Sequence, residues 1–441
     1  MKPLKTPLRL FVKDSTISFG LVLLLGILNY ILNRNLALML PTKDFGFLYS
    51  TMSVVMIVLA FLDLGLGEAM GILISRSHDA GDVYKTKKLF TCFLYFRMGL
   101  AIVCFGGLAV ASYWLKTAYF KYSGSTVLLI GLFAIVITMS LESAMLQSLA
   151  AIRAFGMQYA IRNIKVLLLC VVSAIFVPIY GLTAMVIAWP VINLMAAGMG
   201  ALYLKRRNVA SLVIFQKEHY LELRGVLSVS MWIAVTGAGV STMYHMDMLC
   251  LTWFKQLTDV AIYKVALALN QIVYSLMILP VVLTPTASIL WAKKDYKEIR
   301  RITLHIIFFF LLIFPVVVLV GIFWAKEIIT IMFAEKYTVG ATALTWLWGG
   351  AIFFAIGNVC TRTLNAGHGQ RSVAGIVIIC VAVNFILNIL LIPHYGIAGA
   401  AAATSISYLL LAVVSSSKLF FRLAALQSSG VEPPISSVQE D

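Results

Sequence analysis

The sequence predicts an all-α polytopic membrane protein, and three observations carry that expectation. Apolar residues make up 61% of the 441 residues and charged ones only 12%, about half the share of an ordinary soluble domain. The sequence contains twelve apolar segments long enough to span a bilayer, which takes ~20 residues each. The cations also alternate: 25 Lys and Arg flank one set of span ends and 6 the other. That asymmetry is the positive-inside pattern, so the net charge of +16 reflects topology and not nucleic-acid binding. The mean hydropathy of +0.97 excludes a soluble enzyme or a disordered scaffold.

The spans are expected at 16–40, 46–74, 89–114, 125–149, 158–179, 182–204, 226–254, 260–290, 302–324, 341–363, 372–392 and 396–420. The first is too long for a signal peptide and lacks a small-residue cleavage site, so it stays as a helix. The eighth carries Pro280 and Pro285, which predict a kink. An even span count puts both termini on the basic side, which is the cytoplasmic side. The organisation reads as a cytoplasmic N-terminal segment (1–15), an N-lobe of six spans (16–204), a basic linker (205–225), a C-lobe of six spans (226–420) and a polar, disordered tail (421–441). Cys92, Cys104, Cys170, Cys250, Cys360 and Cys380 lie in apolar stretches with no CxxC spacing, so they read as small hydrophobes. No metal or other cofactor is expected.

Local patterns recur at a constant offset of 215 residues. Pro178-Ile179-Tyr180-Gly181 returns as Pro393-His394-Tyr395-Gly396, and Asp44-Phe45-Gly46 as Asp259-Val260-Ala261. Leu149-Ala150-Ala151 answers to Leu364-Asn365-Ala366. The shift covers six spans and preserves sidedness, which predicts two parallel repeats related by an axis along the membrane normal. Two such lobes suggest a cavity between them and alternating access.

Ionisable residues inside spans cost about 2.5–3.5 kcal/mol each on insertion scales, so they are read first as functional. At ~1.5 Å per helical residue, Glu68, Arg97 and Glu142 lie about 10–12 Å from the basic side, with Asp63 somewhat deeper. Three acids against one arginine suggest a proton or Na⁺ held by Asp63, Glu68 and Glu142, with Glu68–Arg97 as a structural pair. Near the other side, Arg34, Asp247 and Lys264 lie within about 6–10 Å of their span ends. One cation is in surplus there, which suits an anionic ligand: Arg34 through its planar fork, Lys264 as a point charge. The structural alternative is an Asp247–Lys264 pair with Arg34 snorkelling outward. Gly237-Ala238-Gly239 reads as a helix-packing site, and Asn384 and Asn388 as interhelical polar contacts.

These residues carry a resemblance. The run from Arg34 through Leu40-Pro41 and Asp44-Phe45-Gly46 to Asp63-Leu64-Gly65 resembles the opening of polysaccharide-repeat flippases of the O-antigen (Wzx) type. Those belong to the superfamily of multidrug and oligosaccharidyl-lipid/polysaccharide (MOP) exporters. Asp259-Val260-Ala261-Ile262-Tyr263, Phe333-Ala334-Glu335-Lys336-Tyr337 and the stretch from Asn384 to Thr404 are similar too. The resemblance covers about 15–420. It implies a V-shaped, twelve-helix transporter of the bacterial inner membrane that carries undecaprenyl-pyrophosphate-linked oligosaccharide from the cytoplasmic to the periplasmic leaflet. Implied partners are the lipid-linked substrate, membrane lipids, and a polysaccharide polymerase and chain-length regulator. Membrane potential or H⁺/Na⁺ antiport would drive it. Two rivals remain: a drug/cation antiporter of the same fold, and a membrane glycan polymerase or ligase. The second is disfavoured by the short, acid-poor outer loops.

Overall fold

The computed structural model describes residues 5–63, 66–209, 218–274 and 287–429, and no strand occurs among the described residues. The first half of the chain folds as α1 (Lys5–Met39), α2 (Thr42–Asp63), α3 (Leu66–Asp79), α4 (Val83–Trp114), α5 (Thr126–Phe133), α6 (Ile135–Ala151), α7 (Phe155–Ile175), the single turn α8 (Val177–Tyr180) and α9 (Leu182–Arg206). The second half folds as α10 (Glu218–Phe254), α11 (Leu257–Tyr274), α12 (Tyr296–Met332), α13 (Ala341–Ala366) and α14 (Gln370–Ser429). Nine helical stretches among the described residues are long and apolar enough to cross a membrane. The protein is therefore an all-α, multi-pass membrane protein. The kink expected at Pro280 and Pro285, residues 210–217 of the linker, residues 430–441 of the tail and the side chain of Glu68 lie outside the described residues.

Sequence and backbone agree on where the helices begin and break. The Asp82 carboxylate accepts the Lys85 N–H at 2.9 Å to open α4, and Asp295 accepts the Glu298 N–H at 3.1 Å to open α12. α14 runs for 60 residues, about three bilayer cores at ~1.5 Å per residue. It has to break, and it does so at Gly396, whose φ of 56° and ψ of −131° only glycine adopts readily. Gly181, 215 residues earlier, has φ 57° and ψ −140°. Arg153 and His368, also 215 apart, share φ values of 59° and 58°. The recurring motifs thus recur in backbone conformation.

Large apolar side chains face outward, among them Val110 at 86% and Ile331 at 77% exposure. In water such a surface would aggregate, whereas hydrocarbon solvates it. The two halves meet where α2 packs against α10 and α11 and α1 against α11. The polypeptides approach so closely that a Cβ on Gly46 would sit 1.8 Å from the Leu257 carbonyl oxygen.

Two ends of the bundle can be told apart. The basic end carries the loops at 80–82, 152–154, 207–209 and 292–295. The far end carries those at 40–41, 120–125, 255–256 and 333–340. Hydrogen bonds that join the halves gather toward the far end. Ser50 and Thr252 are hydrogen-bonded through hydroxyls 2.5 Å apart, and Tyr119 donates to the Leu249 carbonyl at 2.9 Å. Tyr337 donates to the Ala37 carbonyl at 2.7 Å, and Tyr30 to Met332 at 2.9 Å. Beside them Tyr122 stacks on Phe47 at 3.8 Å and donates to Asp44.

Candidate functional site: buried charges on either side of the seam

Arg97 of α4 is 2% exposed and needs a full set of acceptors. It ion-pairs with Asp63 at the end of α2 and donates to Gln147 at 3.1 Å and Ser140 at 3.2 Å, both on α6. Gln147 in turn donates to Asp63 at 3.1 Å, closing the triangle. The Phe93 ring lies 5.7 Å from the guanidinium carbon. Asp63 is thus a partner of Arg97; the expected Glu68–Arg97 pair involves a side chain outside the described residues. Depth fixes the level of a side chain and not its direction.

Glu142 of α6 is 4% exposed and pairs with the Lys165 ammonium at 2.6 Å. Lys165 and Arg162 read as loop cations in the sequence, but the structure places them inside α7, about 15 and 10 Å from its start. Removing both from the loop tally leaves 23 cations against 6, so the charge asymmetry stands. Among the described side chains, Asp63 is matched by Arg97 and Glu142 by Lys165. A cavity of about 310 Å³ opens beside Glu142, Arg162 and Lys165, lined by residues of α1, α2, α6, α7 and α9.

The second half buries its acid differently. Asp247 of α10 is 1% exposed and accepts from the Thr404 hydroxyl at 2.5 Å, from the Tyr263 hydroxyl, and from the Asn388 amide at 2.9 Å. Asn388 also donates to Asn384 at 3.2 Å, and Asn384 to Thr404 at 3.2 Å. The polar contacts expected of the two asparagines thus tie α14 to α10. A carboxylate, two amide carbonyls and a hydroxyl form a donor set suited to a small hard cation. The Asn388 amide oxygen has no hydrogen-bond partner among the described residues.

Arg34, Lys264 and Asp247 each have separate partners. Lys264 sits over the Tyr49 ring at 4.3 Å and makes no ion pair among the described residues. The pairing with Asp247 is therefore not formed. His245 meets Ser53 at 3.3 Å across the seam beside it. Arg34 is exposed, and its Nε donates to the Met332 carbonyl at 2.9 Å, bridging the halves at the far end. A second cavity, about 730 Å³, lies along the seam between α2, α10 and α14 and is lined by apolar residues including Phe61, Met246 and Phe385. Sequence reasoning missed Arg162, Lys165, Tyr263 and Thr404 as site residues. The usable signal was Lys165 itself, a lysine about two turns inside the span expected at 158–179.

Solved structures share this fold. An inward-facing multidrug resistance MATE family transporter of the MOP superfamily superposes with a TM-score of 0.76 at 14% identity, covering 92% of this chain and 96% of that one. The lipid II flippase MurJ in an inward closed conformation gives 0.73 at 14%, covering 94% and 90%. An outward-facing MATE family transporter gives 0.60 at 16%, covering 93% and 97%. Among curated proteins, the uncharacterized membrane protein MJ1068 of Methanocaldococcus jannaschii is 28% identical over 84% of this chain and 76% of its own length. The probable low-salt glycan biosynthesis flippase Agl15 of Haloferax volcanii is 26% identical over 44% of this chain and 41% of its own length.

The fold is that of MATE family transporters of the MOP superfamily and of the flippase MurJ. A MatE family model matches residues 233–390. The polysaccharide biosynthesis protein model matches residues 11–291, and the chain belongs to that family.

Proposed function

We propose that the protein flips a lipid-linked oligosaccharide, a glycan repeat unit on undecaprenyl pyrophosphate or a like polyprenyl carrier, from the cytoplasmic to the outer leaflet. The basic end is cytoplasmic, the chain crosses twelve times in two six-helix lobes, and the lobes alternate access about their seam. The observation that carries this reading is the one-sided seal: bonds such as Ser50–Thr252 and Tyr337–Ala37 close the far end. The higher similarity to the inward-facing transporter than to the outward-facing one supports a state open to the cytoplasm. The relative named as a glycan biosynthesis flippase supports the cargo class.

The physics of the cargo fits such a path. Sugar hydroxyls lose water at a cost of ~2–7 kcal/mol each if left unpaired in hydrocarbon, so the head needs a polar route. The prenyl tail can stay in lipid, and the apolar seam cavity offers it a side opening. Arg34 spends only its Nε on Met332, leaving the rest of its fork for a phosphate. Moving two negative charges out of a negative interior releases about 4–5 kcal/mol per 100 mV, enough to drive the flip without an ion gradient.

A second reading, a drug/cation antiporter, draws on the MatE match and the apolar seam cavity. Reconstituted vesicles separate the two. Labelled polyprenyl-pyrophosphate oligosaccharide should become accessible to an impermeant reagent on the opposite leaflet, faster under an imposed potential. Transport of a fluorescent cation with no movement of the glycolipid would replace the flippase reading with the antiporter.

A further inference from the structure

We infer that the cavity inside the first half is a subsite for a singly charged acidic sugar, a uronate-type monosaccharide of the cargo; this deepens the flippase reading and rests on it. The cavity is walled by the first half alone and lies near mid-depth, apart from the seam. Its polar lining is Asn29, Glu142, Ser143, Arg162 and Lys165, with Trp189 beside them.

Charge selects the ligand. Glu142 neutralises Lys165 through their 2.6 Å contact, so Arg162 is left as one net positive charge. Arg162 makes no ion pair among the described residues and rests 5.7 Å from the Tyr159 ring centre. A completed ion pair gains nothing from a third ionisable group in hydrocarbon, so the arginine's presence asks for an anion. A carboxylate brings one charge and matches the planar guanidinium with two parallel hydrogen bonds. A phosphate monoester brings about two negative charges and would leave one unbalanced in a poorly solvated space.

Size and lining select a sugar. About 310 Å³ stands at the lower edge of ligand pockets, which suits one monosaccharide and not a prenyl chain or a whole repeat unit. Trp189 lines the cavity with its largely buried indole ring. An aromatic wall beside polar groups fits a ring that is apolar on its face and hydroxylated at its rim. Asn29 commits its amide N–H to the Leu25 carbonyl at 2.8 Å, which leaves its oxygen to accept a sugar hydroxyl.

Binding to the purified full-length protein tests this directly, with glucuronate, glucose and glucose 6-phosphate as probes in calorimetry. Glucuronate should bind at least about tenfold more tightly than glucose, a gap of one charge-assisted contact. Arg162→Gln should close that gap. Arg162→Lys, which keeps the charge and loses the fork, should fall between. Glu142→Gln should tighten glucuronate, because it raises the net charge of the cavity. Equal binding of glucuronate and glucose, or wild-type preference in Arg162→Gln, overturns the subsite. Tighter binding of glucose 6-phosphate overturns the carboxylate assignment. Vesicle flipping of a uronate-bearing glycolipid against its carboxyl-reduced twin should show the same preference. Intact glucuronate binding with neither glycolipid flipped would refute the flippase reading and leave the subsite standing.

Discussion

In the first half Asp63 and Glu142 each meet a cation on another helix, whereas in the second half Asp247 meets hydroxyls and an amide. Both arrangements satisfy a carboxylate in a place without water, by different means. An ion pair fixes the charge of both partners, since neither can be lost without leaving the other unpaired. A neutral cage tolerates a proton or a cation on the carboxylate, because no buried positive charge depends on it. The halves share a fold-level pattern at an offset of 215 residues. They differ in which side can change its charge during a cycle.

The comparison breaks most readily at Asp63. Asp63→Ala leaves Arg97 buried with no counter-charge among the described residues and should cost about 3–5 kcal/mol, seen as a fall in melting temperature of the detergent-purified protein. Asp247→Asn keeps the volume and removes no cation's partner, but it turns an amide N–H toward one of three donors. A smaller loss of about 1–3 kcal/mol is expected in the same assay. If Asp247→Asn proved the more damaging, the cage would be the rigid element and the ion pairs the replaceable ones. Tyr337→Phe belongs to neither network and sets the baseline. Losing its bond to the Ala37 carbonyl should cost about 0.5–1.5 kcal/mol and shift the protein toward an open far end, read as faster labelling of a cysteine placed there.

Much of the architecture was legible in the residues. Apolar run length located the helices, and the turns at Gly181 and Gly396, paired by sequence motif, share one backbone conformation. The helix starts at Asp82 and Asp295 follow from short carboxylates at N-caps. The charge pairings were not legible. Rise per residue gives the level of Asp63, Glu68, Arg97 and Glu142, yet the direction of each depends on helix rotation. Lys165 escaped notice for another reason. A lysine in the first turns of a span reads as a snorkelling loop cation until a carboxylate such as Glu142 is seen facing it. Asp247 and Lys264 are close in sequence and opposite in charge, but Tyr49 takes the lysine, and Thr404 and Asn388, more than 140 residues away, take the acid.

The central claim is that the far end opens and closes as the halves rock. Ser50 and Thr252 touch across the seam there, at 2.5 Å between hydroxyls, so cysteines at both positions can form a disulfide that holds it shut. The six native cysteines form no disulfide and would first be replaced. In vesicles, Ser50→Cys/Thr252→Cys should lose glycolipid flipping on oxidation and recover it on reduction, with the basic end reactive to an impermeant label throughout. Undiminished flipping by the oxidised, cross-linked protein would contradict the account.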